Sequence, residues 1–397
     1  MTRGVNPWRG LSGLPRGVWV LVAATLVNRT GTMFLPFLVL YLTRARGYTP
    51  GEAGATLALF GAGALLAGPL AGRLSDRFRP VRVMQISLTA SGALLLVFPF
   101  VHSAFVISAL VLLIAFVSEA FRPASLSVVS HLVAPERRKA AFALQRLAIN
   151  LGMSVGPAAG GFLAEVSWPS LFIVDGVTSL LAALTLAFFP PREGSVSTGS
   201  GAPRPLPARP ASVDARFLFF LAAVIPVGIV FFQHESSMAL YFVRDLAFAA
   251  STYGLLHTVN TLLIVLLEVP LNLATSHWPH RRALVLGSIL VGAGFGALAF
   301  ARSLPGVILT IVVWTFGEMV LLPGLAAYVA EVAPEERRGA WLGLYTTSFN
   351  VALFIGPAFG TLLLEHFGGR VLWGTMFALG LLSALLFARV EDRRVHA

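Results

Sequence analysis

Asn150-Leu-Gly-Met-Ser-Val-Gly-Pro-Ala-Ala-Gly-Gly161 is the stretch that decides the architecture. Gly152, Gly156 and Gly160 recur every four residues, so they line one face of a helix. Small residues on one face let a second helix approach closely in lipid. Pro157 removes a backbone donor and bends the helix beside that face, and Gly161 extends the thin strip. A thin, bendable seam suits a protein that rocks between two shapes. A relative of the stretch returns as Asn350-Val-Ala-Leu-Phe-Ile-Gly-Pro-Ala-Phe-Gly360, as though one design were used twice.

The surroundings of that seam are those of a membrane. Of the 397 residues, 56% are hydrophobic and 12% charged, against roughly 25% charged in an ordinary soluble domain. The apolar residues fall in blocks able to cross a hydrocarbon core, which takes about 20 residues of helix. An all-α, polytopic membrane protein follows. Cysteine is absent, which excludes a disulfide framework and a thiolate metal site. No metal-ligand spacing, phosphate loop or Ser/His/Asp set is present, so neither a cofactor nor an enzyme activity is expected. The first residues lack a cleavable signal shape, so the first span is expected to stay as a transmembrane helix.

Twelve spans are expected, near 17–43, 51–73, 80–101, 103–131, 138–165, 168–190, 215–243, 250–274, 281–302, 305–332, 338–365 and 369–389. They fall into six-helix bundles at 1–190 and 215–397, joined by a Ser-, Gly- and Pro-rich linker at 191–214. The net charge of +11 is placed to orient the chain rather than to bind nucleic acid. Arginines crowd the termini, the linker and every second loop, including Arg73, Arg77, Arg79 and Arg82, then Arg137 and Arg138, then Arg281 and Arg282, then Arg337 and Arg338. The positive-inside rule puts both termini in the cytoplasm; a monomer in the cell (inner) membrane is the expectation. Further repeats support two homologous halves. Val133-Ala-Pro-Glu-Arg-Arg138 returns as Val332-Ala-Pro-Glu-Glu-Arg-Arg338, and Tyr41-Leu-Thr-Arg44 as Tyr241-Phe-Val-Arg244. Paired bundles of this kind alternate access around a site near the midplane.

These features together resemble the major facilitator superfamily over essentially the whole chain. Gly72-Arg-Leu-Ser-Asp-Arg-Phe-Arg-Pro-Val-Arg82 looks like its signature loop, and the Gly-Pro stretch is similar to the motif of its drug/proton antiporter (multidrug efflux) branch. The resemblance implies a gate at Gly72, Asp76, Arg77 and Arg82, and a bending seam at Gly152, Gly156, Pro157, Gly160 and Gly161. It also implies proton-coupled efflux of small hydrophobic molecules. Two departures are visible. Val111 and Ala115 stand where the antiporters carry an arginine, and Arg122 comes later in the same span. The second-half loop Ala274-Thr-Ser-His-Trp-Pro-His-Arg-Arg282 keeps the charge but loses the Gly and Asp.

Ionisable groups inside lipid cost about 2.5–3.5 kcal/mol each on insertion scales, which makes them functional candidates. A proton-coupled carrier needs a carboxylate that changes environment between two states. Glu235, beside His234 in the seventh span, is the first candidate, and Glu119 and Glu318 follow at matching places in the two halves. Arg29 and Arg122 are expected as counter-charges or substrate anchors, with Glu119 and Arg122 close enough to pair. Asn260, Phe34, Phe231 and Tyr241 are expected to line the cavity, as are Phe37, Phe232 and Phe242. Arg146 is expected to snorkel, and Asp175 and Glu268 to face water at the vestibules. The partners are then a small-molecule substrate, protons and the bilayer. Uptake or flipping of an amphipathic solute, such as a lysolipid or peptide, remains open, as does a remote reading as a non-transporting receptor or enzyme.

Overall fold

The computed structural model describes residues 13–134, 137–191, 214–334 and 337–390; the side chains of 68–77 and of Lys139 lie outside that description. All regular structure among the described residues is helical. The first half comprises α1 (Arg16–Thr30), α2 (Phe34–Ala45), α3 (Pro50–Arg77), α4 (Pro80–Val97), α5 (Ala104–Ser118), α6 (Phe121–Leu132), α7 (Arg138–Val166) and α8 (Trp168–Phe188). The second comprises α9 (Ala215–Phe231), α10 (Ser237–Leu240), α11 (Ala250–Thr275), α12 (His280–Ala297), α13 (Leu304–Val332) and α14 (Arg338–Phe387).

Nine segments among the described residues are long and apolar enough to cross a membrane. α1 with α2 forms one, and α5 with α6 another. The 50-residue α14 kinks at Gly368, whose φ of 77° is a conformation that side chains beyond glycine resist, so its two arms correspond to two expected spans. α3 and α12 are not among the nine. α12 has 18 residues and opens on His280-Arg281-Arg282.

In lipid the hydrophobic effect gives little drive for helix to meet helix; close packing and interhelical bonds supply it. Glycines therefore mark the contacts. Within the first half, α4 and α8 meet at Gly92 and Gly176. Within the second, α12 meets α13 at Gly287, Gly294 and Gly317, and α14 at Gly292 and Gly380. Two seams join the halves. On one, Gly161 abuts Ala250, Gly254 abuts Pro157, and Thr258 Oγ1 donates to the Ser154 carbonyl at 2.6 Å. On the other, Gly54 abuts Pro357 and Thr361, and Gly61 abuts the backbone of Leu353 and Phe354. Both seams run antiparallel and tighten toward one face of the molecule, here the loop side. Glu165 accepts from Ser251 N at 2.9 Å there, and Glu365 from Gly51 N at 2.6 Å. On the opposite face, the termini side, added atoms at Gly339 and Gly343 of α14 would meet nothing among the described residues.

Three spans expected as continuous helices are interrupted mid-way. The span near 17–43 breaks at Gly31–Met33, that near 103–131 at Glu119–Ala120, and that near 215–243 at a 3-10 turn, Phe232–Glu235. A π turn, Tyr241–Asp245, then ends the third. Broken backbone at membrane depth survives only where protein or cavity satisfies it. Asp175 does so for α2, its carboxylate accepting from Met33 N at 3.0 Å and Phe34 N at 2.9 Å. Gln233 does so at the third break, its Nε2 donating to the carbonyls of Ile229 and Gly356, each at 2.9 Å.

Candidate functional site

The ionisable residues gather at these breaks. In the second half, the 3-10 turn swings His234 and Glu235 off the helix axis, and His234 Nε2 lies 3.0 Å from Glu235 Oε1. His234 Nδ1 lies 2.6 Å from the Phe231 carbonyl. A carbonyl only accepts, so Nδ1 carries hydrogen. One further hydrogen must bridge Nε2 and Oε1, giving either imidazolium with carboxylate or neutral imidazole with carboxylic acid. The pair is thus a single-proton store whose proton belongs to both residues.

Around that store lie polar atoms without protein partners. Glu235 Oε2, His257 Nε2 and Trp314 Nε1 are buried and unbonded. The His257 ring is 5.8 Å from that of His234, and Trp314 is 6.2 Å away. A native interior rarely leaves so many polar groups unpaired, and such groups in one place fit a site that receives a ligand or water. Glu318 on α13 accepts from Asn260 Nδ2 at 3.0 Å, Asn260 Nδ2 also donates to Thr315 Oγ1 at 3.0 Å, and Glu318 lies within electrostatic reach of His234. Tyr253 ties the store to the first half, its hydroxyl lying 2.9 Å from the His234 carbonyl and 3.2 Å from that of Pro36.

The first half presents the opposite charge. Arg29 ends α1, packed on Gly152, with its Nε buried and without a partner. Gly156 and Gly160 complete that face against Arg29, Thr32 and Met33, so the glycine strip of α7 receives the broken first span, while Gly161 and Pro157 meet α11. Glu119, Arg122 and Asp175 lie within electrostatic reach of Arg29. The expected Glu119–Arg122 pair does not form: Glu119 caps the end of α5, and Arg122 is exposed and lies within electrostatic reach of Tyr345 on α14. Asp175 does not face a vestibule; it is buried as the cap of α2.

The aromatic candidates divide. The Phe231 ring lies 4.6 Å from that of His234, tilted against it, and with Phe232 it meets Phe349 of α14. Phe37 and Phe242 pack on Tyr253. Phe34 is enclosed by Phe60, Phe98 and Phe172 inside the first half. Tyr241 is enclosed too, its hydroxyl donating to the Leu298 carbonyl at 3.0 Å and its ring set edge-on to Trp373. Of the signature loop, Arg82 is exposed in the first turn of α4, while the side chains of Gly72, Asp76 and Arg77 lie outside the described residues.

Sequence reasoning missed Tyr253, Gln233 and Trp314, and it placed Arg146 and Glu268 as separate solvated groups. They form an ion pair between α7 and α11. Among the described residues no cluster of three His, Asp or Glu side chains is placed to hold a metal.

Residues 20–248 and 234–397 match the family model described as Major Facilitator Superfamily. The chain belongs to the Major Facilitator Superfamily. Bacillus subtilis (strain 168) has a relative, YttB, described as an uncharacterized MFS-type transporter, 27% identical over 97% of both chains. The multidrug resistance protein MdtH of Aeromonas salmonicida (strain A449) is 24% identical over 82% of each. Among solved structures, a peptide transporter POT bound to sulfate superposes with a TM-score of 0.81 at 17% identity, covering 96% of this chain and 95% of that one. This superfamily member is therefore an all-α, multi-pass membrane transporter with the major facilitator fold.

Proposed function

We propose that the transporter is a secondary carrier that exports small hydrophobic molecules across the cell membrane in exchange for protons. Its two bundles, 1–190 and 215–397, rock about the glycine seams, with the termini side in the cytoplasm. The observation that carries this reading is the buried His234–Glu235 pair, 3.0 Å apart, with Glu235 Oε2 unpartnered and the His234 ring beside Phe231 and Trp314. A proton site and an aromatic wall then share one place, so a solute that enters changes the surroundings of the proton. Opposite-charge contacts and burial set a carboxylate's proton affinity, and a change in either converts proton binding into a conformational bias. The basic residues on the termini side support the orientation, and the name of the MdtH relative supports efflux. The test is flux in proteoliposomes with an imposed pH gradient: a fluorescent lipophilic cation should move against its own gradient as protons run the other way. No dye movement by folded, oriented protein overturns efflux of such cations.

A second reading has its own observation. Arg29 Nε is buried without a partner, and Arg122 stands exposed opposite Tyr345. That arrangement favours an amphipathic solute with a carboxylate or phosphate. Competition of the dye flux by anionic but not cationic amphiphiles would favour it.

A further inference from the structure

The seams leave one link to explain. On the loop side the halves touch through backbone, at Gly161 with Ala250 and Gly54 with Pro357. Toward the termini side, the last bond of the α3–α14 seam among the described residues is a long one, Asn350 Nδ2 to the Ala64 carbonyl at 3.4 Å. On the α7–α11 seam the described link furthest in that direction is Arg146 with Glu268. The two partners are unequal: the side chain of Arg146 is 56% exposed and that of Glu268 only 9%.

From this geometry we propose that Glu268 is a second proton-binding site of the transporter, and that its pairing with Arg146 is a proton-operated latch on the termini side. When the halves part there, Arg146 leaves with α7 into water, while Glu268 stays buried in α11. A carboxylate buried without a counter-charge neutralises by taking up a proton. Proton uptake at Glu268 therefore accompanies separation, and proton loss accompanies closure. α11 packs on α7, α13 and the π turn. The charged groups facing Glu268 from them are Arg146 on α7 and Glu318 on α13. The π turn contributes Arg244 and Asp245, which pair with each other at the loop-side end. Glu318 is reached electrostatically by both His234 and Glu268. Glu235, His234, Glu318 and Glu268 thus form a string of titratable groups running from the midplane toward the termini side. That route deepens the proton-coupled reading and rests on it; the latch itself stands on the ion pair.

The chain contains no cysteine, so two spin labels can be placed without a background. Arg138→Cys and Ser276→Cys put them at the exposed ends of α7 and α11. Pulsed dipolar distances on the full chain in nanodiscs, from about pH 5 to about pH 9, should shift from a longer to a shorter population as pH rises. Glu268→Gln should hold the longer population at every pH, and Arg146→Gln should do the same should Glu268→Gln fold poorly. The exchange Arg146→Glu with Glu268→Arg should recover the shorter population but without its pH dependence, because the carboxylate then stands at the exposed position and stays ionised in water when the halves part. Glu235→Gln should leave the shift in place, so loss of transport coupling and loss of the latch are read separately. A distance distribution that ignores pH in the unmutated pair, or Glu268→Gln indistinguishable from it, overturns the proposal.

Discussion

The carboxylate of Asp175 on α8 accepts the backbone N–H of Phe34 at 2.9 Å, across 141 residues of sequence. It accepts Met33 N as well, at 3.0 Å. This one side chain allows the first span to break inside the membrane, and the break is what leaves Arg29 at a helix end. Asp175→Ala leaves two buried N–H groups without acceptors, at about 1–3 kcal/mol each. A fall in thermal stability of that order is expected in detergent, with Asp175→Asn losing less because its amide oxygen still accepts. Unchanged melting of Asp175→Ala would contradict the capping role.

The loop-side seam should behave as a hinge that tolerates no added side chain. A Cβ on Gly254 would run into the Pro157 backbone. Gly254→Val is expected to wedge α7 and α11 apart on the loop side. A cysteine at position 251 should then react several-fold faster with an impermeant thiol reagent applied from that side. Equal reactivity in the two backgrounds would mean that the seam yields elsewhere.

Arg29 should act on solute affinity rather than on proton binding. A hydrogen bond to a charged group contributes about 1.5–3 kcal/mol, so Arg29→Gln should raise the KM of an anionic amphiphile roughly tenfold or more. Proton movement in the absence of solute should not change. An unchanged KM would assign Arg29 to the packing of α1 on α7 alone.

Tyr253 touches carbonyls on both halves, those of His234 and Pro36. Tyr253→Phe keeps the ring against Phe37 and removes only the hydroxyl. A stability loss of about 0.5–1.5 kcal/mol is expected. A faster loop-side opening rate, read by single-molecule distances, would separate a gating role from simple packing.

Much of this was legible in the residues themselves. Gly152, Gly156 and Gly160 announce a helix seam by spacing alone, and the structure lays the α1–α2 break on it. The apolar blocks announce membrane spans because hydrocarbon imposes length and composition on any helix that crosses it. The breaks were not legible. Val27-Asn-Arg-Thr-Gly31 has no proline, and what stabilises its interruption is Asp175, far along the chain. Nor was the Arg146–Glu268 pair legible, because hydropathy registers each charge in its own span and not the partner on the other half. Glu119 and Arg122 show the converse: three apart on one expected helix face, they are separated from pairing by a helix end that falls between them.

The central claim is that Glu235 stores the coupled proton. Reconstituted Glu235→Gln should keep solute exchange down a solute gradient at about the unmutated rate, since a neutral amide occupies nearly the same volume as the acid. It should lose all solute movement driven by a pH gradient. Gradient-driven uptake by Glu235→Gln at the unmutated rate would contradict the account, because the pair with His234 would then be only a brace for the broken seventh span.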